Sequence, residues 1–325
     1  MKAKVIRMAK QGAPDVMSVE SVELNEPGAG EILIRQTAMG LNFMDVYHRG
    51  GQYSLPVPSG LGVEAAGVVE KIGAGVKDFK AGDRVGYIQG APGAYADYRI
   101  MPADRMIKLP EGISEEQAVA CMLKGMTAEY LLNRCYPVQK DQFVLFMAAA
   151  GGVGLMAGQW GKALSAKMIG IAGGPEKCKL ALANGYAHVI DRKSEDIAAR
   201  VKEITGGAGV SVVYDSVGKD TFEISLNALA PRGYFVSFGA TTGSPPPVEA
   251  GMLVKRGSLY FTRPTLVTYT AKRDDLLASA KAVFDMVLKG AIKLHIGQRY
   301  KLDDVVKAHT DLEAGRTQGS SVLTP

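Results

Sequence analysis

Residues 145–164, LFMAAAGGVGLMAGQWGKAL, constrain the fold of this chain more than any other stretch. An apolar run stops at a turn of small residues, and an apolar-periodic segment follows. That is how a β-strand meets an α-helix whose N-terminus cradles a phosphate. In the dinucleotide fingerprint G-x-G-x-x-G, the three glycine places are held here by Ala149, Gly151 and Gly154. Alanine fits the first place if its φ is negative. Gly152 lets the backbone approach a pyrophosphate closely. The helix N-terminus, with Val153 in its first turn, turns roughly half a positive charge toward the phosphates.

Alone such a match is weak, and its context makes it strong. From Phe143 the pattern alternates strand and helix, with strands over residues 143–149, 167–172, 188–190, 210–215 and 234–238. The segment PEKCKLALANG between two of them has Pro175 at a helix start and Gly185 at its end. Alternating βα units imply an α/β fold, a doubly wound parallel sheet of the Rossmann type. Residues 1 to 126 read differently. EILIRQTAMGLN and AAGVVEKIG are short β-type runs, and KDFKAGDRVGYI turns at Gly82 and Asp83. No helix of good length is expected before Ser114, which with Gln117 makes a capping box. After Phe261 the alternation ends. Leu276, Ala280, Val283, Phe284 and Val287 lie on one helix face closed by Gly290, and GSSVLTP reads as a strand returning to the first domain.

At 325 residues the chain is too long for one ordinary core, so two domains are expected. The net charge of +5 is mild, and no arginine-rich run or basic–aromatic interleave marks a nucleic-acid surface. The three cysteines, Cys121, Cys135 and Cys178, form no CxxC and no disulfide framework. No stretch approaches a membrane span of about 18 apolar residues. A reduced, cytoplasmic setting follows.

With these residues in view the chain resembles the medium-chain dehydrogenase/reductase superfamily. AAAGGVG, GVEAAGVVEKIG and FKAGDRVGY carry the likeness, and NFMDVYHRGGQY, YDSVG and SLYFTRP narrow it to the quinone oxidoreductase (ζ-crystallin-like) branch. The resemblance implies a GroES-like catalytic domain of residues 1–126 and 268–325, interrupted by a Rossmann domain of residues 127–267. The nicotinamide would lie in the cleft between them. Zinc members place a catalytic Cys and His in the segments matching GLNFMD and GVEAAG, where this chain has Asn42 and Val63. Neither replaces a thiolate or imidazole on Zn²⁺, and Glu64 cannot hold the metal alone. The segment matching the four-cysteine structural lobe, YIQGAPGAYADY, has no Cys, and the four histidines, His48, His188, His295 and His309, lack ligand spacing. No metal is expected.

An NAD site carries Asp or Glu about 20 residues beyond the fingerprint, for the ribose hydroxyls. Ala172 stands there, followed by Gly173, Gly174 and Lys177. The missing carboxylate leaves room for a 2′-phosphate. Lys177 supplies a charge to it and Arg192 a bidentate fork, so NADPH is the expected cofactor. Family members commonly have a hydroxyl residue at the places of Gly174 and Arg192, and this chain has neither. The resemblance puts Asn42, Asp45, Tyr47 and Thr127 around the nicotinamide and its ribose. Ser216 and Val217 fall near the adenosine side, and Phe238, Gly239 and Phe261 along the nicotinamide. Tyr47, Tyr53 or water is the proton or hydrogen-bond donor to the acceptor, and Arg263 is a further anchor. Without a Lewis acid an alcohol is a poor substrate, whereas an electron-poor acceptor takes hydride readily. The leading reading is a quinone reductase working as a homodimer that joins through the edge strand near GSLYFT. An alkenal or enone reductase on the same scaffold is the alternative. A crystallin-like dinucleotide- or RNA-binding protein is the non-enzyme alternative, which RNA binding displaced by NADPH would favour.

Overall fold

The computed structural model describes residues 1–325 throughout. In chain order the strands are Lys2–Met8 (β1), Met17–Glu23 (β2), Glu31–Leu41 (β3), Ser59–Gly60 (β4), Glu64–Ile72 (β5), Arg84–Ile88 (β6), Tyr98–Pro102 (β7), Ile107–Lys108 (β8), Phe143–Phe146 (β9), Lys167–Ala172 (β10), His188–Asp191 (β11), Val210–Asp215 (β12), Leu229–Ser237 (β13), Tyr260–Thr262 (β14), Ile296–Lys301 (β15) and Ser320–Thr324 (β16). The helices are Phe43–Gly50 (α1), Glu115–Glu129 (α2), Gly152–Ala163 (α3), Pro175–Ala183 (α4), Ile197–Ile204 (α5), Phe222–Ala228 (α6), Ala250–Lys255 (α7), Leu266–Tyr269 (α8), Arg273–Leu288 (α9) and Val305–Glu313 (α10). Contacts divide the chain into one unit of residues 1–123, 272–288 and 294–325, and another of residues 124–271 and 289–293.

The second unit is a six-stranded parallel sheet in the order β11-β10-β9-β12-β13-β14. Its strands are short apolar runs because helices cover both faces. Leu145, Ile169, Val213 and Phe235 are all fully buried in its core. The chain leaves β9 toward β10 and later returns to its other side at β12. A doubly wound sheet binds ligands at such a reversal, outside the carboxyl ends of the strands. Strands β10 and β12 have the bounds that the sequence pattern predicts, whereas β9 ends three residues early, at Phe146. The chain turns there, with Ala148 in the left-handed region at φ 55°.

The first unit is β-rich. A three-stranded sheet runs β2-β1-β4, and a seven-stranded one runs β15-β16-β3-β5-β6-β8 with β7 also on β3. Met8, Ile32, Met39, Val85 and Leu323 are buried in its core. The segment GSSVLTP does return: β16 pairs antiparallel with β3, Ser321 opposite Leu41. The capping box forms as expected, Ser114 N–H donating to Gln117 Oε1 at 2.9 Å and Gln117 N–H to Ser114 Oγ at 3.2 Å. Beyond α2 the chain continues as a π-helical turn over Tyr130–Cys135.

One expectation fails. A helix precedes Ser114, the eight-residue α1. The side chains it buries are Asp45, Tyr47 and Arg49, so no apolar period marks it, and its ends define it instead. Asn42 N–H donates to Asp45 Oδ2 at 2.9 Å, and Gly51 closes the helix in the left-handed conformation at φ 87°. No helix is long and apolar enough to cross a membrane.

Candidate functional site

In the second unit, the expected phosphate turn lies between β9 and α3. Ala149 pairs with Ile171 O through its N–H at 2.9 Å, and the left-handed residue of the turn is Ala148, so alanine at 149 meets no strain. Gly151 is the N-cap of α3 and no side chain caps the helix. The first-turn N–H groups of Gly152, Val153 and Gly154 thus keep their hydrogen-bonding capacity for an anion. A Cβ on Gly154 would sit 2.4 Å from Ala148 O and 2.6 Å from Ala149 O. The turn can fold back on the helix only because that atom is missing. Gly154→Val should destabilise the protein by roughly 1–3 kcal/mol, through the overpacked turn, and abolish NADPH binding. A thermal melt and an NADPH fluorescence titration check this. Unchanged affinity would mean that the turn does not hold the cofactor.

At the carboxyl end of β10 the cations gather. Arg192 lies alongside Gly173, its Nε 3.1 Å from where a Cβ at 173 would be, and Lys193 Nζ is 3.8 Å from the same point on Gly174. Lys177, in the first turn of α4, has its ammonium pKa lowered by burial first, then by the charges of Arg192 and Lys193. All three cations therefore share one electrostatic site. Asp191 Oδ1 holds it together, accepting from Gly174 N–H at 2.8 Å and Lys193 N–H at 3.0 Å. Those two bonds hold the Asp191 carboxyl below its usual range. Ala172 is buried at the end of β10 and brings no carboxylate to the site. The sequence analysis names Lys177 and Arg192; the structure places Lys193 and Asp191, which it does not name, beside them. The signal was present in VIDRKSED, an acid flanked by cations just after a strand.

The YDSVG segment has an internal cause. Asp215, fully buried, accepts from Val217 N–H (2.7 Å) and Gly218 N–H (3.1 Å) at Oδ1, and from Thr221 (2.7 Å) and Ser225 (2.6 Å) hydroxyls at Oδ2. Four donors fix the loop that presents Ser216 and Val217, both half-buried. Phe238 follows β13, its N–H on Asp215 O at 2.8 Å and its ring 5.5 Å from that of Phe146. Gly239 is buried beside it, and Phe261 stacks edge-on to Phe235 at 5.3 Å. Thr127 is buried on α2. Arg263 is exposed and donates to Pro264 O at 3.2 Å.

The other candidates belong to the first unit. Asn42 is 5 % exposed, and its amide Nδ2 donates to Glu64 Oε2 at 3.0 Å, while Glu64 Oε1 accepts from Leu123 N–H at 2.8 Å. The carboxylate fits only because residue 40 is glycine: a Cβ there would fall 2.1 Å from Glu64 Oε2. Val63 is buried. No three His, Cys, Asp or Glu side chains come together in a group able to hold a metal ion. Asp45 is fully buried and ties α1 to the strands behind it, with Tyr95 Oη donating to its Oδ2 at 2.8 Å. Tyr47 is 8 % exposed and packs edge-on against the half-buried Tyr53, with ring centroids 5.2 Å apart.

The family models match two segments: the alcohol dehydrogenase GroES-like domain over residues 28–111 and the zinc-binding dehydrogenase domain over residues 152–279. A quinone oxidoreductase of Pseudomonas aeruginosa is 47 % identical over 99 % of this chain and 100 % of its own length. A 2-haloacrylate reductase of a Burkholderia species is 40 % identical over 97 % of both. The crystal structure of Escherichia coli quinone oxidoreductase complexed with NADPH superposes with a TM-score of 0.97 at 47 % identity, covering 99 % of this chain and 100 % of that one. This chain belongs to the medium-chain dehydrogenase/reductase superfamily, in its quinone oxidoreductase branch.

Proposed function

We propose that this protein is an NADPH-dependent quinone reductase that works without zinc. The observation that carries the reading is the residue set around Asn42. An amide and an apolar side chain stand where zinc relatives have thiolate and imidazole, and the neighbouring Glu64 carboxylate has both oxygens engaged. An alcohol would need a Lewis acid to reach the alkoxide, whereas a quinone accepts electrons unaided. When bound, NADPH supplies the hydride.

The residues divide by task. The N-cap and first turn of α3 (Gly151, Gly152 and Val153) take the pyrophosphate. Gly173, Gly174, Lys177, Arg192 and Lys193 take the 2′-phosphate, and Ser216 and Val217 the adenosine side. Asn42, Thr127, Phe238, Gly239 and Phe261 take the nicotinamide and its ribose. Asp45 acts through Asn42, since its carboxylate is fully buried. Tyr47, Tyr53 or water donates to the developing oxyanion of the acceptor. In this reading residues 127–267 form the dinucleotide-binding domain, and residues 1–126 with 268–325 the catalytic one. The β14 edge supports a homodimer, with Tyr260 51 % exposed and stacked on Tyr234 at 4.4 Å. Sedimentation at one chain per particle would dismiss it. Cys121, Cys135 and Cys178 are all free thiols, which supports a reducing, cytoplasmic compartment.

The experiment is steady-state turnover with NADPH against a panel of 1,4-benzoquinones beside 2-alkenals and 2-haloacrylate. Quinones should be the faster acceptors. The similarity to a 2-haloacrylate reductase favours the enone reading as second, and alkenals turned over far faster than every quinone would install it. Elemental analysis showing one zinc per chain, with activity lost to a chelator, would overturn the metal-free part.

A further inference from the structure

Behind α1 runs a chain of polar groups, buried except at its Glu313 end, that reaches Asp45 and Asn42 through members to which the reaction assigns no task. It starts at Glu313 on α10, whose carboxylate accepts from Arg49 Nη1 at 2.8 Å and Nη2 at 2.7 Å. Arg49, in the last turn of α1, is 2 % exposed, and its Nε donates to Gly12 O at 3.1 Å. Arg49 Nη1 also lies 3.5 Å from His309 Nδ1. A guanidinium can only donate, so Nδ1 must be the bare ring nitrogen and the hydrogen sits on Nε2. His309 Nε2 faces Tyr95 Oη at 3.3 Å. Tyr95 Oη donates to Asp45 Oδ2 at 2.8 Å, and the same oxygen accepts Asn42 N–H at 2.9 Å. From Arg49 to Asp45 every donor points the same way and meets an acceptor.

Two facts make this more than a tether. First, Asp45 and Arg49 are four residues apart, on one face of α1. His309 therefore grips both ends of the helix from α10, one directly and one through Tyr95. Second, the polarity is fixed. Burial, then the Arg49 charge, hold the imidazole down to about 3. Burial and Asp45 push the Tyr95 phenol well above its ordinary value. Neither group changes protonation at working pH, so neither bond reverses. Apolar packing alone would let α1 slide or turn, and directional bonds between buried groups do not.

We infer that His309 is a positioning residue for Asn42, setting the first turn of α1 through Tyr95 and Asp45 and thereby the pose of the Asn42 amide. The inference rests on the reading of Asn42 as a residue of the nicotinamide end. All the groups belong to the first unit, so the link can be read without cofactor.

Three variants test it. His309→Leu removes both bonds, Tyr95→Phe removes one hydroxyl from the middle of the chain, and His309→Gln returns a donor near the Nε2 place. Hydrogen exchange of the free protein comes first. The Asn42 and Asp45 amides should exchange about tenfold faster in His309→Leu and Tyr95→Phe, and close to the wild-type rate in His309→Gln. In turnover, kcat should fall about tenfold, with a larger primary isotope effect from NADPH deuterated at the transferred position. The Kd for NADPH, read by its fluorescence, should stay within about twofold, because the phosphates rather than α1 dominate affinity. A merely structural role would lower kcat with the folded fraction and leave the isotope effect untouched. That outcome, or unchanged exchange at Asn42 in both variants, overturns the inference. Should His309→Leu fail to fold, Tyr95→Phe carries the test. Should the wild type reduce no acceptor with NADPH, the functional reading fails, and the exchange data still decide the positioning of Asn42.

Discussion

NADPH should outperform NADH by on the order of 100-fold in kcat/KM, and single removal of Arg192 or Lys177 should each erase about tenfold of that preference. The cause lies in the three cations at the ends of β10 and β11. In the free protein they repel: the ammonium of Lys177 is destabilised by Arg192 and Lys193, on top of its partial burial. A 2′-phosphate brings nearly two negative charges and three acceptor oxygens, which relieves that repulsion and adds charge-assisted hydrogen bonds. Each such bond contributes about 1.5–3 kcal/mol where water is excluded. Arg192 and Lys193 are exposed, so the low end applies, and two bonds at about 1.5 kcal/mol each give the hundredfold. NADH never makes these contacts. Lys177→Ala and Arg192→Ala should therefore weaken NADPH alone, mainly in KM, because the adenosine end binds ground and transition states alike. Rising salt should shrink the preference too. Steady-state kinetics with both cofactors on wild type and variants decide it. Equal use of NADH by the wild type, or matched losses for both cofactors, would show that these charges do not read the phosphate.

The second large effect concerns acid stability. His309 is fully buried and its pKa is lowered to about 3. Above about pH 6.5 it is neutral folded or unfolded, and pH does not act on it. Below that, the unfolded chain takes up a proton that the native state refuses, so stability falls as pH falls, by about 1.4 kcal/mol per unit, until about pH 3. At pH 5 the protein should be about 2 kcal/mol less stable on this account than at pH 7.5. Asp311 acts in the same direction lower down. Lys307 and Arg316 hold its carboxyl to about 2, so its contribution is lost only as pH drops below the usual carboxylate range. His309→Leu should cost roughly 1–3 kcal/mol at pH 7.5, because Arg49 and Tyr95 each lose a buried partner. Its stability should then vary little between pH 7.5 and 5, bringing the two proteins close together at the acid end. Urea denaturation at the two pH values is the measurement. Parallel slopes for the two proteins would place the acid sensitivity elsewhere.

What the sequence disclosed follows from the physics of each element. Parallel strands buried on both faces read as unbroken apolar runs, so β10 and β12 could be bounded to the residue. Capping boxes and closing glycines are local, and Ser114, Gln117 and Gly290 served as their residue types imply. Helix α1 escaped because eight residues make barely two turns, and its two signals, Asn42 with Asp45 and Gly51, are quiet ones. Lys193 escaped for another reason. A cation after a strand is ordinary surface until Asp191 is seen drawing two backbone N–H groups, and with them the loops, into one place. The link from Glu313 to Asn42 is illegible in principle. Its members lie at 42, 45, 49, 95, 309 and 313, and only the folded first unit makes them neighbours.

The pairing of β16 with β3 bears on the order in which the chain can be finished as it leaves the ribosome. Met39, Gly40 and Leu41 lie opposite Leu323, Val322 and Ser321. This margin of β3 thus waits, hydrogen-bonding groups exposed, through the making of everything in between. The parallel sheet, drawn from one continuous stretch, has no such wait and can close while the first unit is still open. Nascent chains usually mature from the N-terminus onward, and this pairing would have the second unit close before the first. The period before β16 emerges is when an unpaired strand edge most invites a wrong partner.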